Sequence, residues 1–71
     1  MSDESKFFIY LLEHYAAYKG APAPDVLREW DELGITERIY DMYEIYHVER
    51  LENAYDDIDA LALEARDSGA A

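Results

Sequence analysis

The sequence contains no cysteine, only three glycines and only two prolines in 71 residues. The absence of cysteine excludes disulfide bonds, thiolate catalysis and thiolate-based zinc sites. Gly20 and Gly34 each follow apolar residues at helical spacing, so they predict helix ends rather than a phosphate-binding loop. The serines lie near the chain ends, Ser2 and Ser68 among them, which does not favour an oriented serine nucleophile. We therefore expect no catalytic residue, no cofactor and no enzymatic activity.

Basic residues are also scarce, because 6 Lys and Arg residues stand against 17 Asp and Glu residues and the formal net charge is -11. Binding to nucleic acid requires basic surface that displaces counterions from the phosphates. An anionic membrane would repel this chain for the same reason. We therefore expect no nucleic-acid partner and no membrane partner, whereas a basic protein would suit the charge. A helical decoy that mimics the charge of nucleic acid is an alternative.

No apolar run is long enough for a membrane span. The longest, FFIYLL at residues 7–12, is followed directly by a glutamate and a histidine. The N-terminus MSDESK is acidic and does not resemble a signal peptide, so a cytoplasmic location is expected. We expect one domain over residues 1–71, with flexible ends at residues 1–5 and 67–71. A chain this short buries only about 60% of its unfolded surface, and dimerisation is a common remedy.

Apolar residues recur at helical spacing, and no alternating strand pattern is present. The sequence therefore predicts an all-α fold, a compact bundle of three long helices and one short helix, four in total, joined by short loops. The first helix should cover residues 6–19, and the short second helix should begin near Pro24 and end at Gly34. A central helix should cover residues 35–47. The last helix should end near Arg66.

The central helix should begin at Thr36, whose hydroxyl is a good N-cap. The apolar arc of this helix is wide, which places it at the centre of the domain. The apolar face of the last segment is rotated from it by roughly 80°. We therefore expect a break or kink between His47 and Asn53, with Asn53 as a candidate cap. Two separate helices and one kinked helix both remain open.

Glu44 and His47 form an E-x-x-H step, which places both side chains on one side of a helix. Di-iron helical bundles use this spacing, but they need two such motifs and two further carboxylates. A symmetric dimer would supply the second motif, so Glu44 and His47 are candidate metal ligands of a helical metal-binding protein. The simpler interpretation is that His47 caps or packs at a helix end and that the chain has no metal site.

Seven tyrosines are the most distinctive part of the composition. A tyrosine buries its ring and keeps its hydroxyl at the rim, which suits both a core and an interface. Tyr10 and Leu63 fall outside the main apolar faces of their helices. The candidate interface residues are Tyr10, Tyr40, Tyr46 and Leu63. The expected partner is a second copy, giving a homodimer, or another protein, and the expected function is a non-catalytic protein–protein interaction.

Four stretches resemble a known family: FFIYLLEHYAAYKG, the WDELG turn, IYDMYEIYH and DDI. Together, over residues 6–61, they are similar to the small bacterial proteins of the domain-of-unknown-function family numbered 3791. The most specific part is the segment IYDMYE with His47 after it, followed by the pair DI at residues 57–58. Val48 stands where the family commonly has a small polar residue.

The resemblance implies a compact helical protein without an assigned activity, and it carries over no catalytic residue. Some members are encoded beside ADP-ribosyltransferase-like proteins, in arrangements similar to toxin–antitoxin or toxin–immunity pairs. By that similarity, an accessory or neutralising role toward a neighbouring effector is one expectation. The residues themselves do not identify the biological process.

Overall fold

Five helices make up most of residues 1–69, the part of the chain that the computed structural model describes. They are α1 (Asp3–Lys19), α2 (Ala23–Leu33), α3 (Thr36–Asp41), α4 (Tyr43–Tyr46) and α5 (Leu51–Gly69). No strand occurs within this range, so the all-α prediction is confirmed. The predicted count of four helices is wrong, because the central helix is divided. The longer helices are α1, α2 and α5, with 17, 11 and 19 residues.

The ends of α1 follow from its sequence. The Ser2 hydroxyl accepts a 3.1 Å hydrogen bond from the amide of Ser5, so Ser2 is the N-cap. Asp3 lies in the first turn and Lys19 in the last, where each charge opposes the helix dipole. Gly20 ends the helix with a φ of 70°, a left-handed conformation that glycine adopts without strain. The helix starts at Asp3 rather than at Lys6, so residues 3–5 belong to it.

The second helix places the only tryptophan at the centre of the molecule. Its first turn contains Pro24, as predicted, and Gly34 ends it with a φ of 71°. Trp30 is 0% exposed. The rings of Phe8 and Tyr15 lie 5.9 and 5.5 Å from the Trp30 ring, measured between centroids. Two aromatic residues of α1 therefore anchor α2.

The predicted central helix is broken at Met42, where φ is -85° and ψ is 10°. The Met42 amide bonds the carbonyl of Ile39 at 3.1 Å, a tighter turn than the α-helical one. No glycine or proline lies nearby, so the cause is tertiary. On one side of the break α3 packs on α1 and α2, and on the other α4 packs on α1 and α5. The break lets α3 pack on α2 and α4 pack on α5. One straight helix over residues 35–47 would not make both contacts as closely.

Thr36 is not the cap of α3. The N-cap position is Ile35, which makes no side-chain capping bond, and the Thr36 hydroxyl instead donates to Oδ1 of Asp31. Ile35 is nearly fully buried, and the tight link after Gly34 delivers it directly into the core. Burial of this side chain therefore sets where α3 begins.

The predicted break after His47 is confirmed, because residues 47–50 separate α4 from α5. The structure contains two separate helices at this point. Asn53 is not the cap: it lies inside α5, and its Nδ2 donates to Glu49 at 3.3 Å. The last helix continues past Arg66 to Gly69. Of the end predicted to be flexible, residues 70 and 71 lie outside the described range.

The core is apolar and is shared by all five helices and the α2–α3 link. Its buried members are Leu11, Leu12, Tyr15, Ala16, Val26, Trp30, Ile35, Ile39, Tyr46, Ala54, Tyr55, Ile58 and Ala62. Within residues 1–69 no charged side chain is buried, so the charge lies on the surface. None of the described helices combines the length and hydropathy that crossing a membrane requires.

Candidate functional site

Two buried tyrosines hold α5 in place through its aspartates. Tyr15 on α1 donates to Oδ1 of Asp59 at 2.6 Å, and Tyr46 on α4 donates to Oδ2 of Asp57. Burial, and then the hydrogen bond to the neighbouring aspartate, raise the pKa of each tyrosine far above its ordinary value. Both phenols therefore remain neutral donors and serve the fold. Tyr46 is 2% exposed, so its place among the candidate interface residues was wrong.

A row of rings lies along α1 and reaches α4, with ring contacts from Tyr43 and His47 through Phe7 and Tyr10 to His14. Tyr18 lies one turn further along the same side of α1. We call this row the aromatic strip, and its members are Phe7, Tyr10, His14, Tyr18, Tyr43 and His47. The centroids of Tyr43 and Phe7 are 5.7 Å apart, and those of Phe7 and Tyr10 are 6.2 Å apart. At the other end Tyr18 stacks on the buried Tyr55 at 4.7 Å. On α1 alone the strip is about 17 Å long, at 1.5 Å per residue.

Much of the strip is open to solvent. Tyr10 is 48% exposed and Tyr18 is 59% exposed. His14 and His47 are also exposed, whereas Phe7 and Tyr43 are half-buried, and Phe7 packs against the core. Rings of this kind offer a large apolar area with few rotatable bonds and retain polar atoms at the edge. The strip is thus a surface suited to contact with another molecule.

The strip contains the same local arrangement twice, a tyrosine with a histidine four residues later. The rings of Tyr10 and His14 are 4.0 Å apart, and those of Tyr43 and His47 are 4.2 Å apart and nearly parallel. In each pair the histidine Nδ1 lies within hydrogen-bond distance of the tyrosine carbonyl oxygen, at 2.9 and 2.5 Å respectively. Because a carbonyl can only accept, Nδ1 of each histidine carries a proton and donates it to the carbonyl.

Carboxylates surround the Tyr43 end of the strip. Burial, followed by the nearby charges of Asp3, Glu4 and Glu44, raises the pKa of Tyr43 above its ordinary value. A groove of about 450 Å³ opens beside this tyrosine, between the start of α1 and the α3–α4 break. Its lining residues are Ser2, Glu4, Tyr40, Asp41, Tyr43 and Glu44. The groove combines two phenol rings with three carboxylates, a lining that suits a cation.

Glu44 and His47, the candidate metal ligands, both lie in exposed positions. His47 stacks on Tyr43 directly after α4, as the alternative interpretation of a histidine packed at a helix end predicts. Among residues 1–69 no group of three or more His, Asp and Glu side chains is arranged to hold a metal ion. A metal site shared across a dimer axis therefore stays a prediction.

The other candidate interface residues occupy different positions. Tyr10 is a central member of the aromatic strip. Tyr40 is half-buried, shares a 2.9 Å hydrogen bond with the hydroxyl of Ser5, and lines the groove. Leu63 is 60% exposed on α5, two turns past Tyr55 and away from the strip. Tyr10 and Tyr40 both lie beside the N-terminal half of α1, but they contact different residues, Phe7 and Phe8 respectively. Leu63 lies on α5, so the structure does not bring the three residues together.

Sequence reasoning missed most of the strip, although one signal was present. Tyr10, His14 and Tyr18 repeat every four residues, which aligns them along one side of α1. Tyr18 is 59% exposed near the end of α1, where its ring stacks on Tyr55. No spacing could show that Tyr43 and His47 join this row, because that depends on how α4 packs against α1.

Residues 6–64 match the family described as "Protein of unknown function (DUF3791)". The chain belongs to the DUF3791 family. The match includes every residue of the aromatic strip and all five helices at least in part. No curated protein and no solved structure matches the chain. Membership of DUF3791 therefore supplies no activity, and the functional argument depends on the surface itself.

Proposed function

We propose that this DUF3791 chain is a non-catalytic protein–protein interaction module and that the aromatic strip is its contact surface. The observation that carries the proposal is the row of exposed rings formed by Tyr10, His14, Tyr18 and His47. Scattered single apolar residues are common on protein surfaces, whereas contiguous exposed apolar patches mark interaction sites. Tyrosine is also among the residues enriched at interfaces and at their energetic hot spots.

The construction of the strip supports this role. Phe7 and Tyr43 are half-buried and their rings contact each other, and Phe7 also packs against the core. These contacts order the strip in the absence of a partner. Each histidine ring is held by stacking and by a bond to a backbone carbonyl. A surface that is already ordered loses less side-chain entropy when it binds. The occupant is a second copy or a different protein, and neutralisation of a neighbouring effector is one form that the second case would take.

Site-specific photocrosslinking tests the proposal. A benzoylphenylalanine placed at Tyr10 should yield a discrete adduct in cells that express the chain at its natural level. The matched control is Ile45, which is 50% exposed and lines a groove with Asn53 and Asp57. Asp57 lies roughly 160° around α5 from Tyr55, so Ile45 samples the opposite side of the molecule.

The adduct should be identified by mass spectrometry and reproduced with the two purified proteins. An adduct at Tyr10 that is absent at Ile45 supports the strip as the contact surface. Light scattering across a range of concentrations then separates the occupants, because a homodimer doubles the mass of the purified chain. Equal labelling from both positions, or none from Tyr10, would remove the strip from consideration.

Two other functions have no comparable support. A metal protein would require ligands beyond Glu44 and His47, and no such group is present in residues 1–69. A mimic of nucleic-acid charge would require carboxylates arranged along one surface. The described residues carry acidic side chains on all five helices. No observation therefore favours either alternative over a protein contact.

A further inference from the structure

The charge of the molecule restricts what can cover the aromatic strip. Four of the six basic residues already pair with carboxylates: Lys19 with Asp59, Arg28 with Asp25, Arg50 with Glu52, and Arg66 with Glu29. Most of the 17 carboxylates in the described range therefore have no basic partner. A partner that contacts this surface meets a strong negative potential before it meets the rings.

The negative charge is close to the strip itself. At the Tyr43 end, Glu4 and Glu44 line the same groove as the tyrosine. At the other end, Glu52 lies close enough to the buried Tyr55 to contribute to raising its pKa, after the larger effect of burial. Because Glu52 pairs with Arg50, the carboxylates without a basic partner are those at the Tyr43 end of the row.

Lys19 shows how aromatic rings and a carboxylate together bind a cation within this molecule. Lys19 Nζ lies 5.6 and 5.4 Å from the ring centroids of Tyr15 and Tyr18. The same nitrogen bonds Oδ2 of Asp59 at 2.9 Å. One ammonium group is therefore held by ring faces and a carboxylate together, which is the combination that lines the groove beside Tyr43.

A second copy of the chain is a poor occupant for the same reason. In a symmetric dimer the strip would face its own equivalent, so each carboxylate around the strip would approach the carboxylates of the other copy. Both copies carry a formal charge of -11, which adds to the repulsion. The rings favour a contact, and the charge requires that the contacting surface be positive.

We infer that the aromatic strip docks a cationic segment of a different protein, a stretch rich in arginine or lysine, with one cationic side chain in the groove beside Tyr43. This inference rests on the proposed function and names the chemistry of the partner. The rings contact the apolar stems and cationic heads of the segment, and Glu4 and Glu44 pair with its charges.

The test is a titration of the full, isotope-labelled chain followed through its backbone amide NMR signals. The probe is a short capped peptide of arginine, leucine and alanine. Its matched control is the same peptide with every arginine replaced by citrulline, which keeps the shape and removes the charge. The arginine peptide should shift the amides of Tyr10, Tyr43 and His47, and the citrulline peptide should bind at least about tenfold more weakly, which matches the loss of several charged contacts. Added salt should weaken the binding of the arginine peptide and leave the binding of the citrulline peptide unchanged.

Two pairs of variants test the site. Tyr43→Leu should lower the affinity for the arginine peptide about threefold, whereas Tyr43→Phe keeps a ring and should retain the affinity. Glu44→Gln should also lower the affinity for the arginine peptide about threefold. Glu37→Gln removes a carboxylate from a separate groove, between the end of α2 and the start of α3, and should have no effect. Trp30 fluorescence verifies that each variant is folded, because this residue is buried only in the native state.

The outcomes separate this inference from the proposed function. Equal binding of the citrulline peptide would overturn the inference, as would amide shifts spread evenly over the acidic surface, while a crosslink at Tyr10 would still support the proposed function. A second copy would be the occupant if the mass doubled with concentration and returned to the monomer value in Tyr18→Ser but not in Ile45→Ser. That result would also overturn the inference. The absence of any crosslink at Tyr10 would overturn the proposed function itself.

Discussion

The hydroxyl of Tyr15 donates a 2.6 Å hydrogen bond to Oδ1 of Asp59, and this bond joins α1 to α5. Oδ2 of the same carboxylate accepts from Lys19 at 2.9 Å, so both oxygens are bonded to α1. Tyr46 makes the equivalent bond to Asp57, on another side of α5. Two tyrosines from different helices therefore determine how α5 is placed, although the core beneath them is apolar.

Tyr15→Phe should lower the free energy of unfolding by about 1 to 2 kcal/mol, the range for a hydrogen bond to a charged acceptor. The ring would remain packed near Trp30, and Asp59 would keep only its bond to Lys19. Urea denaturation followed by Trp30 fluorescence measures the change. Tyr10→Phe removes a hydroxyl from an exposed ring and should change stability by less than about 0.5 kcal/mol. Equal losses in the two variants would contradict a specific role for the Tyr15 bond.

Stability should also fall at alkaline pH. Burial and the aspartate bonds raise the pKa of Tyr15 and Tyr46 above the ordinary value of 10.0, which applies in the unfolded chain. Their contribution is complete below about pH 10 and is lost as the pH rises toward the folded-state pKa, because the unfolded chain releases its phenolic protons first. Urea midpoints measured from about pH 9 to about pH 11 should decline, and the decline should be shallower in Tyr15→Phe. Parallel declines would show that this phenol is not responsible.

Ile58→Val tests the packing of the core. Ile58 is fully buried on α5, so the loss of one methyl group should cost about 1 kcal/mol. Leu63→Ala, on the same helix but exposed, removes more atoms and should cost less than about 0.5 kcal/mol. Thermal denaturation followed by circular dichroism compares them. A larger loss of stability in Leu63→Ala than in Ile58→Val would mean that Leu63 is covered in solution. Its place as a candidate interface residue would then gain support.

Gly34→Ala isolates a backbone effect. Gly34 has a φ of 71°, and a Cβ built there meets no heavy atom within 4 Å, so no steric contact with a neighbour contributes. The left-handed conformation alone should cost about 1 kcal/mol for alanine. Gly34→Asn should cost clearly less, because asparagine tolerates this conformation through local hydrogen bonds. Urea denaturation of the three proteins provides the comparison, and an alanine variant as stable as the parent would refute the assignment.

The features of the fold that sequence predicted correctly are local. The end of α1 at Gly20 and the end of α2 at Gly34 depend on a few neighbouring residues and on backbone conformation. The break after His47 was predicted because two apolar faces were out of phase on one helix. The break at Met42 was missed because nothing in the residues around it disfavours a helix. It exists because α3 and α4 pack on different neighbours.

The candidate site was predicted only in part. Tyr10 and Leu63 were expected outside the main apolar faces, and both are exposed. Tyr46 was named as a candidate interface residue because a tyrosine suits both a core and an interface, but its hydroxyl reaches Asp57 and its ring is buried. A helical projection cannot show which side chains a second helix covers.

By itself the sequence determined the helical class, the C-terminal ends of α1 and α2, and an excess of negative charge, because these depend on residue type and spacing along the chain. The tertiary structure alone decided that Tyr43 and His47 lie beside Phe7, that Tyr18 is covered by one ring, and that the carboxylates of Glu4 and Glu44 share a groove. These relations join residues far apart in the chain, and they arise only when several helices pack at once around Trp30. The aromatic strip is a product of that packing.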